Sequence, residues 1–158
     1  MTNFLEQLVA EWYEFSGFFV RRNVHVGRRP RGGWECELDV VAFNPKAKRL
    51  LHIEPSMDTL HWDKREKRFR KKFNAGQKYI PELFEAFKPL PKIEPVALFV
   101  FGSDKRHREI GGGRVLMIRD FLNEIRNGIK DRSVAKSAIH EQYVILRTLL
   151  FANEFWNR

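Results

Sequence analysis

The stretch Trp34–Ser56, WECELDVVAFNPKAKRLLHIEPS, decides the fold of this chain. It predicts two β-strands joined by a turn at residues 44–46, because the dipeptide Asn44-Pro45 favours turn initiation. Side chains alternate between two faces along each strand. On the first strand the apolar face holds Cys36, Leu38, Val40 and Ala42, and the acidic face holds Glu35, Glu37 and Asp39. On the second strand Leu51 and Ile53 share one face, and His52, Glu54 and Ser56 share the other.

Pairing of these strands brings several carboxylates onto one face of the predicted sheet. Carboxylates repel one another at short range, and burial strengthens that repulsion. The acidic side chains have no matching lysine on the same strands, so a divalent cation would best neutralise them. Oxygen ligands of this kind suit Mg²⁺ or Mn²⁺ better than zinc. The alternative is an exposed sheet face that carries scattered charges.

The acidic hairpin resembles the motif of the PD-(D/E)XK nuclease superfamily. Asp39 ends a hydrophobic and acidic strand, and Glu54-x-Ser56 follows on the next strand. The likeness to the restriction-endonuclease-like and Holliday-junction-resolvase-like branches also includes Glu6 and the segment 17–20, GFFV. It implies a single α/β domain of the restriction-endonuclease-like class, with a central mixed β-sheet flanked by helices in the order αβββαββ. That core would cover about residues 3–118 of the domain 1–158, and a C-terminal helical extension would cover about 119–158.

By this resemblance the chain would be a metal-dependent nuclease that hydrolyses phosphodiester bonds in DNA. Asp39 and Glu54 would bind Mg²⁺ (or Mn²⁺), with the carbonyl of Pro55 as a third ligand. Glu37 would bind a second metal or orient a water molecule. Glu6 would help to hold the metal or the substrate, and its alternative role is that of a solvated surface carboxylate.

The sequence departs from the superfamily at Ser56, which stands where the motif usually has a lysine. A serine hydroxyl can bind water or phosphate, but it brings no positive charge. Lysines 64, 67 and 71 share one face of the following predicted helix, residues 58–80. Lys64 is the nearest to the motif in sequence and is predicted to supply the charge. If no lysine reaches the carboxylates, the expected function is a non-catalytic nucleic-acid-binding module on the same fold.

Charge and composition point to a polyanionic partner. The 158 residues carry a formal charge of +9, and 43% are hydrophobic, including 14 phenylalanines, which is typical of one folded domain. The basic predicted helix and the arginine-rich loop 27–33 could both lie along a phosphate backbone. The residues predicted to bind nucleic acid are Arg28, Arg29, Arg31, Lys64, Lys67, Arg68, Lys71 and Lys72. DNA is the expected partner, and a membrane-surface protein anchored by the basic helix is the remaining alternative.

Several further features limit the function classes. A single cysteine, Cys36, excludes an intramolecular disulfide and any multi-cysteine zinc site. His52 and His61 form a poor zinc signal, and His52 could instead serve as an auxiliary base. The sequence shows neither a signal-peptide pattern nor an apolar run of about 20 residues, so a cytoplasmic protein without a membrane partner is predicted.

Two expectations concern the helices. Gly76 is predicted to break or restart the basic helix, since glycine weakens helix interiors. The final helix, predicted over residues 134–155, has apolar residues on two sides, which indicates deep packing or a homodimer surface.

Overall fold

The computed structural model describes residues 3–156, so the ends of the predicted domain, 1–2 and 157–158, lie outside the described residues. The strands are β1 (Phe19–Arg28), β2 (Trp34–Asn44), β3 (Arg49–Ser56), β4 (Ile93–Phe99), β5 (Glu109–Ile110) and β6 (Gly113–Met117). The helices are α1 (Phe4–Phe15), α2 (Trp62–Leu83), α3 (Ile118–Ile129) and α4 (Val144–Phe155), with a short 3₁₀ turn at Glu85–Phe87.

The strands form one mixed sheet in the order β1-β2-β3-β4-β6-β5. β1, β2 and β3 are antiparallel neighbours, whereas β3, β4 and β6 run parallel. Helix α2 provides the crossover that a parallel pair such as β3 and β4 requires. This arrangement confirms the prediction of a single α/β domain with a central mixed sheet flanked by helices. The sequence did not predict the two-residue edge strand β5.

Apolar side chains cover both faces of the sheet. On one face, residues such as Val40 and Leu51 pack with Leu5 of α1, Phe121 of α3 and Leu146 of α4. On the other face, α2 packs over the sheet through Phe69, Phe73, Ala75 and Ile80. Because α2 lies on the sheet along most of its length, its inward side chains can reach β2 and β3.

The regular alternation predicted for β2 fails at Asp39. Leu38 packs in the cluster that also holds Val41, whereas Val40 packs on the opposite face. The pairing of β1 with β2 skips Asn23 and Asp39, and Asn23 has a φ of 51°. A local irregularity of this kind changes the face of the sheet toward which the neighbouring side chains point. Leu38 therefore joins Val41 on the α2 side, whereas Asp39 keeps the side that alternation with Val41 predicts, just beyond the last β2–β3 pair, Val40–Ile53.

The prediction that Gly76 breaks the helix is wrong. Helix α2 continues from Trp62 to Leu83, and Gly76 is buried against the ring of His52. A Cβ atom at position 76 would lie 2.2 Å from Nδ1 of His52. The glycine therefore allows α2 to approach β3 closely, a use of glycine that local propensity does not show.

The predicted helix over 134–155 is wrong in its first ten residues, because α4 begins only at Val144. Glu11 of α1 fixes this start, since its Oε2 accepts hydrogen bonds from the backbone N–H groups of Ile145 and Leu146 at 2.9 and 3.0 Å. A buried carboxylate at a helix N-terminus satisfies N–H groups that have no partner within the helix.

Helix α4 buries one apolar side and exposes another. Leu146 and Leu150 are buried in the core, whereas Phe151 and Phe155 are exposed. The deep packing expected of this helix is present, and a homodimer through its outer side stays a prediction. Within residues 3–156 no helix is both long enough and apolar enough to cross a bilayer.

Candidate active site

Two carboxylates and one ammonium group meet between β2, β3 and α2. Nζ of Lys72 lies 2.6 Å from Oδ1 of Asp39 and 2.7 Å from Oε2 of Glu54. The side chain of Glu54 is 3% exposed, and those of Asp39 and Lys72 are 17% and 22% exposed. These three residues, which we call the acidic–lysine triad, lie in a cleft of about 250 Å³.

Hydrogen bonds on both of its oxygens hold the Glu54 carboxylate in place. Oε1 accepts a hydrogen bond from the backbone N–H of Asp39 at 3.1 Å and lies 2.7 Å from Nε2 of His52. Oε2 receives the ammonium of Lys72. The backbone of β2, a neighbouring residue of β3 and a side chain of α2 thus orient one carboxylate together. Such support keeps a functional group in a fixed geometry.

His52 acts on Glu54 from the protein interior. Its side chain has no exposed surface, and its ring lies edge-on to Phe73 at 5.2 Å. Burial, together with the positive charge of Lys72, lowers the pKa of His52 to about 3. The neutral imidazole therefore donates from Nε2 to Glu54, while Nδ1 has no hydrogen-bond partner. His52 is buried and does not line the cleft, so it does not fit the predicted role of an auxiliary base. It instead holds the Glu54 carboxylate in position.

The charges within the triad shift two pKa values. Burial and the neighbouring Glu54 carboxylate raise the pKa of Asp39 to about 7, although Lys72 opposes this shift. Burial acts to lower the pKa of Lys72, but the attraction of Glu54 and Asp39 outweighs it, so that the pKa is raised. One ammonium thus faces two carboxylates, and Asp39 ionises less readily than a solvated aspartate. The site has a remaining affinity for positive charge.

Ser56, which carries no charge, contacts the guanidinium group of Arg68. Its hydroxyl donates to Oδ2 of Asp58 at 2.5 Å and accepts from Nη2 of Arg68 at 2.9 Å. Arg65 binds the other oxygen of Asp58 at 2.9 Å. Burial acts to raise the pKa of Asp58, but hydrogen bonds led by that of Ser56 lower it to about 2. Asp58 therefore stays ionised and holds Arg68 at the cleft.

Lys72, and not Lys64, brings its ammonium to the carboxylates. Lys64 is exposed on the first turn of α2 and takes part in no ion pair within residues 3–156. Proximity in sequence selected Lys64, but α2 approaches Glu54 with a later turn. The other basic residues of the predicted set, Lys67, Lys71 and the three loop arginines, are exposed. The sequence predicts that Lys72 binds nucleic acid, and only the contacts of the folded chain indicate that it belongs to the triad.

The remaining predicted acidic residues lie apart from the triad's contacts. Glu37 binds Nε2 of His25 at 3.0 Å and Nδ2 of Asn23 at 3.2 Å. Glu6 is buried, and its carboxylate accepts from the same amide at 3.4 Å and from Nδ2 of Asn3, the N-cap residue of α1, at 2.7 Å. The interpretation of Glu6 as a solvated surface carboxylate is therefore wrong. Its contacts support the fold and give no direct link to Asp39 or Glu54.

The oxygen donors that line the cleft include the carboxylates of Asp39 and Glu54. Within residues 3–156 no group of three or more His, Cys, Asp and Glu side chains could hold a metal ion. Mg²⁺, however, is commonly bound through only one or two carboxylates, with water and substrate phosphate as further ligands. Asp39 and Glu54 already converge on one cation, the ammonium of Lys72. Pro55, whose carbonyl is the third predicted ligand, also lines the cleft.

Comparison with known proteins does not identify a family for this chain. The sequence matches no protein-family model and no curated protein. Membership of the PD-(D/E)XK superfamily therefore stays a prediction.

Proposed function

We propose that the protein is a metal-dependent nuclease that hydrolyses phosphodiester bonds in DNA. The observation that carries this proposal is the acidic–lysine triad, with Lys72 2.6 Å from Asp39 and 2.7 Å from Glu54 in an open cleft. A nuclease motif that lacks its usual lysine needs a cation from a neighbouring element, and α2 brings one to the carboxylates.

Each residue of the triad has a distinct role in this proposal. Asp39 and Glu54, with the carbonyl of Pro55, would hold Mg²⁺ or Mn²⁺, which would polarise a phosphoryl oxygen and lower the pKa of the attacking water. Lys72 stays protonated because its pKa is raised, and its charge stabilises the negative charge that grows on the phosphate in the transition state. His52 holds the Glu54 carboxylate in position through a hydrogen bond on its buried side.

Basic side chains around the cleft would bring the polyanion to an acidic site. Lys67 and Lys71 are exposed on α2, and Arg68 lines the cleft while bound to Asp58. Arg68 and Lys71 also line a groove between the β1–β2 hairpin and α2, and Arg28, Arg29 and Arg31 are exposed on that hairpin. Cations at these positions attract the phosphate backbone and raise the association rate.

One observation favours the alternative of a non-catalytic nucleic-acid-binding module. The ammonium of Lys72 reaches both carboxylates directly, so it partly neutralises them without any metal. In that case the triad would stabilise the fold and the basic surface would bind DNA. The two functions differ in their response to divalent metal, because only the nuclease cuts its substrate.

The test is cleavage of supercoiled, linear, single-stranded and branched DNA in the presence of Mg²⁺ or Mn²⁺. We expect metal-dependent cleavage by the wild type and its loss in Asp39→Ala and in Glu54→Ala. Glu85→Ala is the matched control, since it removes an exposed carboxylate outside the cleft. Full activity in either triad variant would remove the assignment of this site, and no cleavage of any substrate by the wild type would favour the binding module.

A further inference from the structure

A second groove adjoins the cleft and shares Arg68 and Lys72 with it. It lies between the β1–β2 hairpin and α2 and has a volume of about 520 Å³. Its other lining residues are His25, Trp34, Glu35, Cys36, Glu37 and Lys71. A DNA strand with its scissile phosphate in the cleft would therefore continue into this groove.

Trp34 presents an exposed aromatic surface in the groove. It is 46% exposed, although it is one of the largest apolar side chains in the chain. The ring of His25 lies 5.8 Å from the indole, tilted by 38°, and so supports it from the same hairpin. An exposed indole beside basic side chains is typical of the platforms on which proteins stack nucleic-acid bases.

The charges of the groove favour phosphate, although two carboxylates line it. Glu35 is bound by the hydroxyl of Tyr79 at 2.5 Å and by Lys78 at 3.8 Å, and Glu37 is bound by His25 at 3.0 Å. Lys71, by contrast, is exposed and forms no ion pair within the described part of the chain. Arg28, which pairs with Trp34 across the hairpin, is also exposed. The groove thus combines carboxylates that already have partners, the exposed ammonium of Lys71 and the exposed indole of Trp34, with Arg28 on the same hairpin.

We propose that this groove binds an unpaired nucleotide next to the scissile phosphate, with its base stacked on Trp34 and its phosphate beside Lys71. The inference rests on the proposed nuclease function, because that function places the scissile phosphate in the adjoining cleft. A base inside a duplex is covered by its neighbours on both faces and would have to leave the stack to contact the indole. The substrate class is therefore single-stranded DNA, or the single-stranded part of a branched DNA.

The test measures binding separately from cleavage. The binding of a labelled single-stranded oligonucleotide and of the corresponding blunt duplex is followed by fluorescence anisotropy in EDTA. We expect Trp34→Ala to weaken single-strand binding by about 5- to 100-fold, the range expected for loss of one base–aromatic stack, and to change duplex binding by less than about 2-fold. Trp34→Phe should retain most of the affinity, because it keeps an aromatic face. Trp156→Ala, which removes an indole that is 83% exposed beside a different groove, is the matched control.

Unchanged single-strand binding in Trp34→Ala, or an equal loss for both DNA forms, would overturn the inference. A loss in Trp34→Phe as large as that in Trp34→Ala would also overturn it, since stacking needs only the ring. Selective loss of single-strand binding by a protein that cuts no DNA would support the groove and reject the nuclease. Cleavage of single strands by Trp34→Ala at the wild-type rate, with DNA well below its dissociation constant, would reject the groove and leave the nuclease in place.

Discussion

Replacing Asp39 with asparagine should remove a pH-dependent loss of stability that the wild type carries. Burial and the Glu54 carboxylate raise the pKa of Asp39 from 3.8 to about 7. The folded protein therefore holds a proton that the unfolded chain has already released between these pH values, so stability falls as the pH rises. Between pH 5 and pH 8 this single group lowers the free energy of unfolding by about 2 to 3 kcal/mol. Asparagine has nearly the same shape and does not titrate.

The assay is urea unfolding of the wild type and of Asp39→Asn at pH 5 and pH 8. The stability of the variant relative to the wild type should increase by about 2 to 3 kcal/mol between the two pH values, since all other titrating groups are shared. Asp131→Asn, at an exposed position, provides the control. Saturating Mg²⁺ should stabilise the wild type more at pH 8 than at pH 5, because metal ligands must be deprotonated. A stability difference between variant and wild type that does not change with pH would refute the assigned burial of this carboxylate.

Three further predictions concern α2. Lys72→Met should reduce the cleavage rate by more than about 100-fold while DNA affinity changes little, because charge stabilisation matters most in the transition state. Single-turnover kinetics measure this rate, and Lys64→Met is the control. Charge reversal of Lys67 together with Lys71 should weaken DNA binding across all sequences and reduce the slope of log K against log salt by about 2, which a salt titration measures. Gly76→Ala should destabilise the fold by about 1 to 3 kcal/mol in urea unfolding, because its Cβ atom meets a buried histidine ring 2.2 Å away that cannot move aside. Equal cleavage rates in Lys72→Met and Lys64→Met would exclude a catalytic role for the Lys72 ammonium. A salt slope that the double charge reversal leaves unchanged would mean that the DNA binds elsewhere. A Gly76→Ala variant more stable than the wild type would mean that helix propensity outweighs the contact with His52.

The sequence determined the element types and the acidic pair. Alternation of period two and the Asn44-Pro45 turn predicted the hairpin that the structure contains as β2 and β3. The order of helical and strand patterns then predicted the mixed sheet. Alternation placed Asp39 and Glu54 on the acidic faces of their strands, which is a local property, and the resemblance to the nuclease motif selected this pair among the other carboxylates.

The tertiary structure decided which other residues meet that pair. Periodicity defines the faces of an element, but it does not define the point at which α2 crosses β3. The close approach at Gly76 sets this point and places Lys72 at the carboxylates. The skipped pairing at Asn23 and Asp39 likewise places Leu38 on the α2 side together with Val41, against the simple alternation.

Long-range contacts also fixed features that no local pattern contains. Asp58 follows β3 without a motif, and only the folded chain brings Arg65 and Arg68 to its carboxylate. Glu11 sets the start of α4 from the far end of the sequence. A buried charge is stabilised by whichever partner the packing brings near it. The partners of a carboxylate are therefore a property of the packed structure, whereas its strand and its face belong to the sequence.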